Sequence, residues 1–169
     1  PQSPPLLFHK GDLTEGGGSD LATAVRQAIK SGERRVVGAV INAVDDYLSR
    51  ADQVRPRWTG EYVQTLDALL HIAREAGRVV VITSDHGHVL DVETSLERSE
   101  QGDRWRADDG APSRSEVVLA GPRVMTATGP RIIVPWSERT RYGNRKNGYH
   151  GGATPQEVVV PLAVLACPE

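Results

Sequence analysis

The chain has 169 residues, of which 38% are apolar and 25% charged, and its net charge at pH 7 is −2. These values exclude a disordered chain and a strongly basic nucleic-acid binder. The single cysteine, Cys167, excludes an intrachain disulfide and a Cys-rich zinc finger. No apolar run reaches the roughly 18 residues of a membrane helix and no signal peptide is evident, so we expect one cytoplasmic domain over 1–169.

The first half of the chain alternates helical and strand patterns. Apolar residues at helical spacing predict a helix that starts near Ser19 and ends at Gly32. The run 35–44 (RVVGAVINAV) is typical of a strand buried on both faces, and so is 78–83 (RVVVIT). Between them, a second helix is predicted from an N-cap at Thr59 to Gly77, after a loop at 55–58.

The second half has shorter apolar runs separated by polar segments. Residues 91–115 are charged and predict a surface loop insertion. Apolar runs at 116–120, 132–134 and 158–165 predict strands, the last one broken or at an edge because of its proline. Residues 137–152 form a polar loop rich in Gly and Arg.

This order of elements predicts an α/β fold, with a parallel sheet covered by helices on both faces. Ligands of such sheets bind beyond the carboxyl ends of the strands. Asp45 and Asp46 follow the first buried run, and Asp85 and His86 follow the second. Chemistry is therefore expected at these two strand ends.

Each candidate also has an ordinary structural explanation. Asp85 and His86 suit zinc or manganese, but a lone pair of this kind more often caps a turn or contacts the backbone. Asp46 can equally cap a helix that starts near Tyr47. His150 lies among glycines, on a loop where a histidine is often incidental.

Taken together, these residues predict more than each does alone. Aspartates, an Asp-His pair and a further His in one α/β chain can hold two metal ions for phosphoryl transfer. Nearby cations can bind phosphate oxygens, although any one of them is more often a solvated surface charge. The candidates for this role are Arg50, Arg141, Arg145 and Lys146.

Three segments, INAVDDYLSRADQ, RVVVITSDHGHVL and GYHGGATPQEVVVPLAVL, resemble the PglZ domain of bacterial BREX and phage-growth-limitation defence systems. That domain belongs to the alkaline phosphatase superfamily. The resemblance extends from about Leu7 to Leu165, and the paired DHGH and YHGGAT-x-QE motifs make it specific. It implies an alkaline-phosphatase-like sheet with helices on both faces.

The resemblance also implies a ligand set for divalent metal, with zinc favoured over manganese. Asp85 and His86 would hold one ion together with a nucleophile, and His150 and Asp45 the other, with Asp46 as the alternative to Asp45. Ser49 stands where the superfamily often has a further His ligand, so that ligand is either replaced, by Asp46 or Asp52, or absent. His88, Arg141 and Arg145 are candidates for binding phosphate or substrate.

The implied function is that of a metal-dependent phosphatase or phosphodiesterase in anti-phage defence, acting on a nucleotide or nucleic acid. No Ser or Thr before Asp45 matches the superfamily nucleophile, so we expect a carboxyl-terminal part with a partial core and no turnover by itself. The alternative is a vestigial site in an interaction module that binds other BREX or Pgl components. A third hypothesis is direct DNA binding by arginines, namely Arg50, Arg55, Arg57, Arg139, Arg141 and Arg145.

Overall fold

A computed structural model describes residues 3–15, 20–51, 59, 63–97 and 102–166. In chain order its strands and helices are β1 (Leu6–Phe8), α1 (Thr23–Lys30), β2 (Val37–Ala39), α2 (Ala43–Leu48), α3 (Gln64–Glu75), β3 (Val80–Thr83), β4 (Val89–Leu90), β5 (Ser95–Leu96), β6 (Arg106–Ala107), β7 (Glu116–Ala120), β8 (Arg131–Pro135), β9 (Thr140–Arg141), β10 (Gly148–Tyr149), α4 (Pro155–Val158) and β11 (Leu162–Leu165). None of the helices in these residues is long and apolar enough to cross a membrane.

The chain divides into two compact units, where the length suggested one domain. The first unit comprises Pro1–Asp46, Arg55–Ile82 and Leu162–Glu169. The second comprises Tyr47–Val54 and Thr83–Pro161. Both mix strands with helices, so the predicted mixed α/β class is confirmed.

The first unit is built on two helices and the short parallel pair β1 and β2. Val25 and Ile29 are four positions apart in α1, so they lie on one helical face, and both are buried. They form a core cluster with Phe8 of β1 and Ile72 of α3. The predicted spacing therefore identified the buried face of α1.

The predicted carboxyl-terminal ends of α1 and α3 agree with the structure, whereas the predicted start of α3 does not. Gly32 and Gly77 have φ of 69° and 64°, and each lies just beyond a helix end, as expected. Helix α1 begins at Thr23, and Ser19 lies outside the described residues. Helix α3 has its N-cap at Val63, so the prediction of Thr59 as the cap was wrong; the loop 55–58 is also outside the described residues.

The predicted strand 35–44 was too long. Only Val37–Ala39 pairs with β1, and α2 already begins at Ala43. Asp45 and Asp46 therefore lie in the first turn of a helix, where the positive end of the helix dipole favours carboxylates, and not directly after a strand. The strand pattern failed there because valine and isoleucine also occur in short helices.

The predicted single parallel sheet is replaced, among the described residues, by five small sheets of two or three strands. Strand β3 pairs with β11, and its residues alternate between half-buried and exposed instead of being buried on both sides. The prediction of two fully buried strands was therefore wrong. An apolar run alone does not distinguish a strand covered on both faces from one with an open face.

The second unit contains one three-stranded antiparallel sheet, ordered β6–β8–β7, and the pairs β4–β10 and β5–β9. Strands β7 and β8 confirm the predicted runs 116–120 and 132–134. Segment 91–115, expected as a surface loop, contributes β5, β6 and the fully buried Arg104. Pro161 separates α4 from β11, in agreement with the predicted break.

Candidate metal centre

Three histidines of the second unit form one cluster. The rings of His86 and His150 are stacked, with centroids 4.1 Å apart and planes 8° from parallel. The His88 ring meets both of them edge-on, at centroid distances of 5.0 Å from His86 and 5.2 Å from His150. His88 of the DHGH motif and His150 of the YHGGAT-x-QE motif are 62 positions apart in the sequence. The fold nevertheless brings the imidazoles of the two motifs together.

The pairing of β4 with β10 explains this juxtaposition. The two strands are antiparallel, with Val89 opposite Tyr149 and Leu90 opposite Gly148. Continued by one residue, this register sets His88 opposite His150. Gly148 permits the close approach, because a Cβ there would lie 2.8 Å from the carbonyl oxygen of Val89.

The surroundings of His86 leave one ring nitrogen available to a ligand. Its Nδ1 lies 3.1 Å from the carbonyl oxygen of Gly87, a contact in which Nδ1 carries the proton. Its Nε2 faces the carboxylate of Asp85 at 3.7 Å. The Asp85 side chain is 88% exposed, and it also accepts a hydrogen bond from the His86 backbone N–H at 3.1 Å.

These groups fit a divalent metal. A ring nitrogen of His86 and one of His88 lie within 4.8 Å of each other, a separation at which two imidazoles could hold one ion. In-plane lone pairs of the parallel His86 and His150 rings do not converge on one point. The stacked pair therefore suits two separate ions, or a rotation of one ring on binding.

The predicted aspartates of α2 belong to the first unit. Asp46 forms an ion pair with Lys10 of the same unit. Asp45 is half-buried one position earlier in the helix. Ser49, which stands in place of a further ligand, is exposed. Asp52 lies outside the described residues.

The predicted phosphate-binding cations have structural partners. Arg141 donates to Thr94 Oγ1 at 3.1 Å and to the Gly143 carbonyl oxygen at 2.7 Å. Arg145 is paired with the buried carboxylate of Asp91. Burial alone would raise the pKa of Asp91, but hydrogen bonds from Thr94 and Arg145 hold it below its ordinary value. Asp91 thus stays ionised and keeps Arg145 engaged.

Lys146 is engaged in the same way, through an ion pair with Asp103. Arg50, another candidate, contributes its backbone carbonyl oxygen, which accepts a hydrogen bond from the Asn147 N–H at 2.6 Å. These contacts hold residues 145–147, the segment that precedes β10.

Sequence reasoning gave His88, Arg104 and Glu157 too little weight. His88 was considered only for substrate, although its position two residues after His86 was a signal for a shared site. Arg104 was assigned to a surface loop, yet it is buried against Glu157. No periodicity marks such a pair, because its partners are 53 residues apart.

The family comparison matches the BREX system PglZ alkaline phosphatase-like domain over residues 2–165. The chain belongs to this family. The search of curated proteins found no match. As a PglZ domain the chain is part of a defence-associated, phosphatase-like family, so the predicted resemblance is confirmed. The histidine cluster is formed by the two motifs on which that resemblance was based.

Proposed function

We propose that this PglZ domain carries the metal site of a phosphohydrolase that cleaves phosphomonoesters or phosphodiesters in anti-phage defence. The observation that carries the proposal is the convergence of His86, His88 and His150 beside Asp85. Imidazole and carboxylate ligands suit zinc best, with manganese as the second choice. Other defence components are the expected partners, and a nucleotide or nucleic acid is the expected substrate.

In this proposal the residues of the chain bind and orient the ions. His86 presents Nε2 because its Nδ1 is engaged with the Gly87 carbonyl oxygen, and Asp85 supplies a carboxylate beside it. His88 joins His86, and His150 serves a second ion because its ring is parallel to that of His86. A divalent ion bound there would supply positive charge to the phosphoryl oxygens.

Asp45 and Asp46 remain proposed ligands, as the family pattern implies. Asp45 is preferred, because Asp46 already pairs with Lys10. The nucleophile stays unassigned, since no Ser or Thr before Asp45 matches the superfamily pattern. We therefore expect metal binding, and no turnover, from this chain by itself.

Elemental analysis of the purified chain beside the double variant Asp85→Ala, His86→Ala tests the metal site. We expect bound zinc in the wild-type chain and none in the double variant, with the same far-UV circular dichroism for both. The matched control is His71→Ala, which removes an exposed histidine on α3 and should keep the zinc. Equal zinc in all three proteins, or none in the wild type, would contradict the proposal.

A second candidate, an interaction module with a vestigial site, is favoured by one observation. The β3–β11 pair exposes large apolar side chains, and exposed apolar patches often mark protein interfaces. They are Val81 of β3 and Leu162 and Val164 of β11, and the exposed Val79 directly precedes β3. If this is the function, co-purification with other BREX components persists in chelator and is lost in Val81→Ser, Val164→Ser. Recovery of no defence component would rule it out.

A further inference from the structure

Beside the histidine cluster, the second unit contains a fully buried ion pair. The side chains of Arg104 and Glu157 are 0% and 1% exposed, and they form two parallel hydrogen bonds of 2.9 Å and 2.8 Å. Burying two charges costs desolvation, so such a pair is not by itself a stabilising device. The two parallel hydrogen bonds instead fix the orientation of the guanidinium relative to the carboxylate.

One side of this pair holds the loop that carries His150. The Glu157 carboxylate accepts hydrogen bonds from the backbone N–H of Gly152 at 2.8 Å and from Thr154 Oγ1 at 2.7 Å. A Cβ on Gly152 would lie 2.6 Å from Glu157 Oε2, so the loop passes directly over the carboxylate. Because Gly152 is two residues after His150, this contact limits where the imidazole can lie.

The backbone of the same residue holds the other histidine motif. The carbonyl oxygen of Glu157 accepts the N–H of Gly87 at 2.8 Å. A Cβ on Gly87 would lie 2.0 Å from the carbonyl oxygen of Gln156, so only glycine fits between His86 and His88. One residue thus contacts both motifs, with its carboxylate on one and its backbone on the other.

We infer that the Arg104–Glu157 pair is a positioning device that sets the stacked geometry of His86 and His150. The inference rests on the proposed function for its consequence, metal affinity, but the geometry it predicts is independent of metal. Arg104 anchors the device, because its Nη1 also donates to the carbonyl oxygens of Ser137, at 3.1 Å, and Thr140. Glu157 connects Arg104 to both histidine motifs, through its carboxylate to Gly152 and through its carbonyl oxygen to Gly87.

The test compares two double variants of the full chain. Arg104→Met, Glu157→Gln removes the charge of both partners, which avoids leaving one buried charge unpaired. Arg106→Met, Glu116→Gln makes the same change in another largely buried pair of the second unit. That pair belongs to the β6–β8–β7 sheet, and its side chains have no described hydrogen bond to either histidine motif.

The first readout is the NMR signals of the His86 and His150 ring protons, assigned by single His→Gln variants, without metal. Stacked rings shift each other's protons upfield, and we expect this shift to disappear in the Arg104→Met, Glu157→Gln protein and persist in the control. The second readout is zinc affinity by titration, which should fall by about 10- to 100-fold in the first variant only.

A folded Arg104→Met, Glu157→Gln protein with wild-type ring shifts would overturn the inference, and so would equal changes in the two double variants. If the wild-type chain binds no zinc, the proposed function fails, while the ring shifts still decide the positioning role. Should the double variant not fold, Thr154→Val, which removes one bond to Glu157, replaces it. There the His150 signal should move, and an unchanged signal would overturn the inference.

Discussion

Glu116 shows how one buried contact controls the ionisation of a side chain. Hydrogen bonds from Arg106 lower the pKa of Glu116 to about 2, although burial opposes the shift, and the Ser113 N–H and the Tyr142 hydroxyl assist. Conversely, burial and the neighbouring Glu116 carboxylate raise the pKa of Tyr142. The network therefore holds one carboxylate ionised and one phenol protonated across the ordinary pH range.

This pKa predicts a specific loss of stability in acid. In the folded chain the pKa of Glu116 is about 2, below its ordinary value of 4.5. The contribution of this ionised carboxylate to the free energy of unfolding is therefore complete above about pH 4.5. It is lost as the pH falls through 4.5 towards 2, and amounts to about 3 kcal/mol. The free energy of unfolding, measured by urea denaturation from pH 2 to 6, should fall less steeply in Glu116→Gln.

The wild-type and variant curves are compared as a difference, so the titrations of the other carboxylates cancel. A difference that stays constant from pH 6 to 2 would contradict the assigned cause. At pH 7 the variant should be less stable than the wild type, because Arg106 then loses the Glu116 carboxylate and, among the described residues, keeps Asp109 as its ionic partner.

Helix α3 depends on its packing face more than on its caps. Its N-cap, Val63, makes no side-chain capping bond, while Ile72 is 2% exposed within the core cluster of the first unit. We expect Ile72→Ala to lower the free energy of unfolding by about 2–5 kcal/mol, through lost apolar burial and the cavity left behind. Chemical denaturation of the two proteins measures the difference.

Met125→Ala is the control for that substitution, because Met125 is 89% exposed. Its effect should stay within about 0.5 kcal/mol. A cost for Ile72→Ala as small as that of Met125→Ala would mean that α3 does not depend on this core for its stability.

Across the whole chain, metal binding and folding are expected to be linked. A ligand that binds the folded chain stabilises it, by about 2.7 kcal/mol at a free concentration one hundred times its dissociation constant. Zinc should then raise the unfolding temperature by about 5–10 °C, and a chelator should reverse the rise. Differential scanning calorimetry of the wild-type chain and of His86→Ala measures it.

His86→Ala should unfold at one temperature with and without zinc. If zinc raised the unfolding temperature of both proteins equally, the ion would be acting elsewhere on the chain. If it raised neither, the proposed site would not bind zinc strongly enough to stabilise this chain.

The individual residues of the candidate site were easier to predict than their partners. Asp85, His86 and His150 were found because their motifs combine unusual residue types with glycines, and these patterns are local. The direct neighbours of His88 and Glu157 depend on contacts between distant segments. Sequence spacing carries no information about such contacts, so their roles could not be predicted.

The local sequence by itself determined the helix ends at Gly32 and Gly77, the buried face of α1, strands β7 and β8, and the family. Each of these depends on neighbours within one or two turns or on a contiguous motif. Only the tertiary structure decided that Asp45 lies in a helix, that β3 has an open face, and that three histidines meet. Those outcomes depend on strand pairing and side-chain packing between remote segments, whose free energies no local pattern contains.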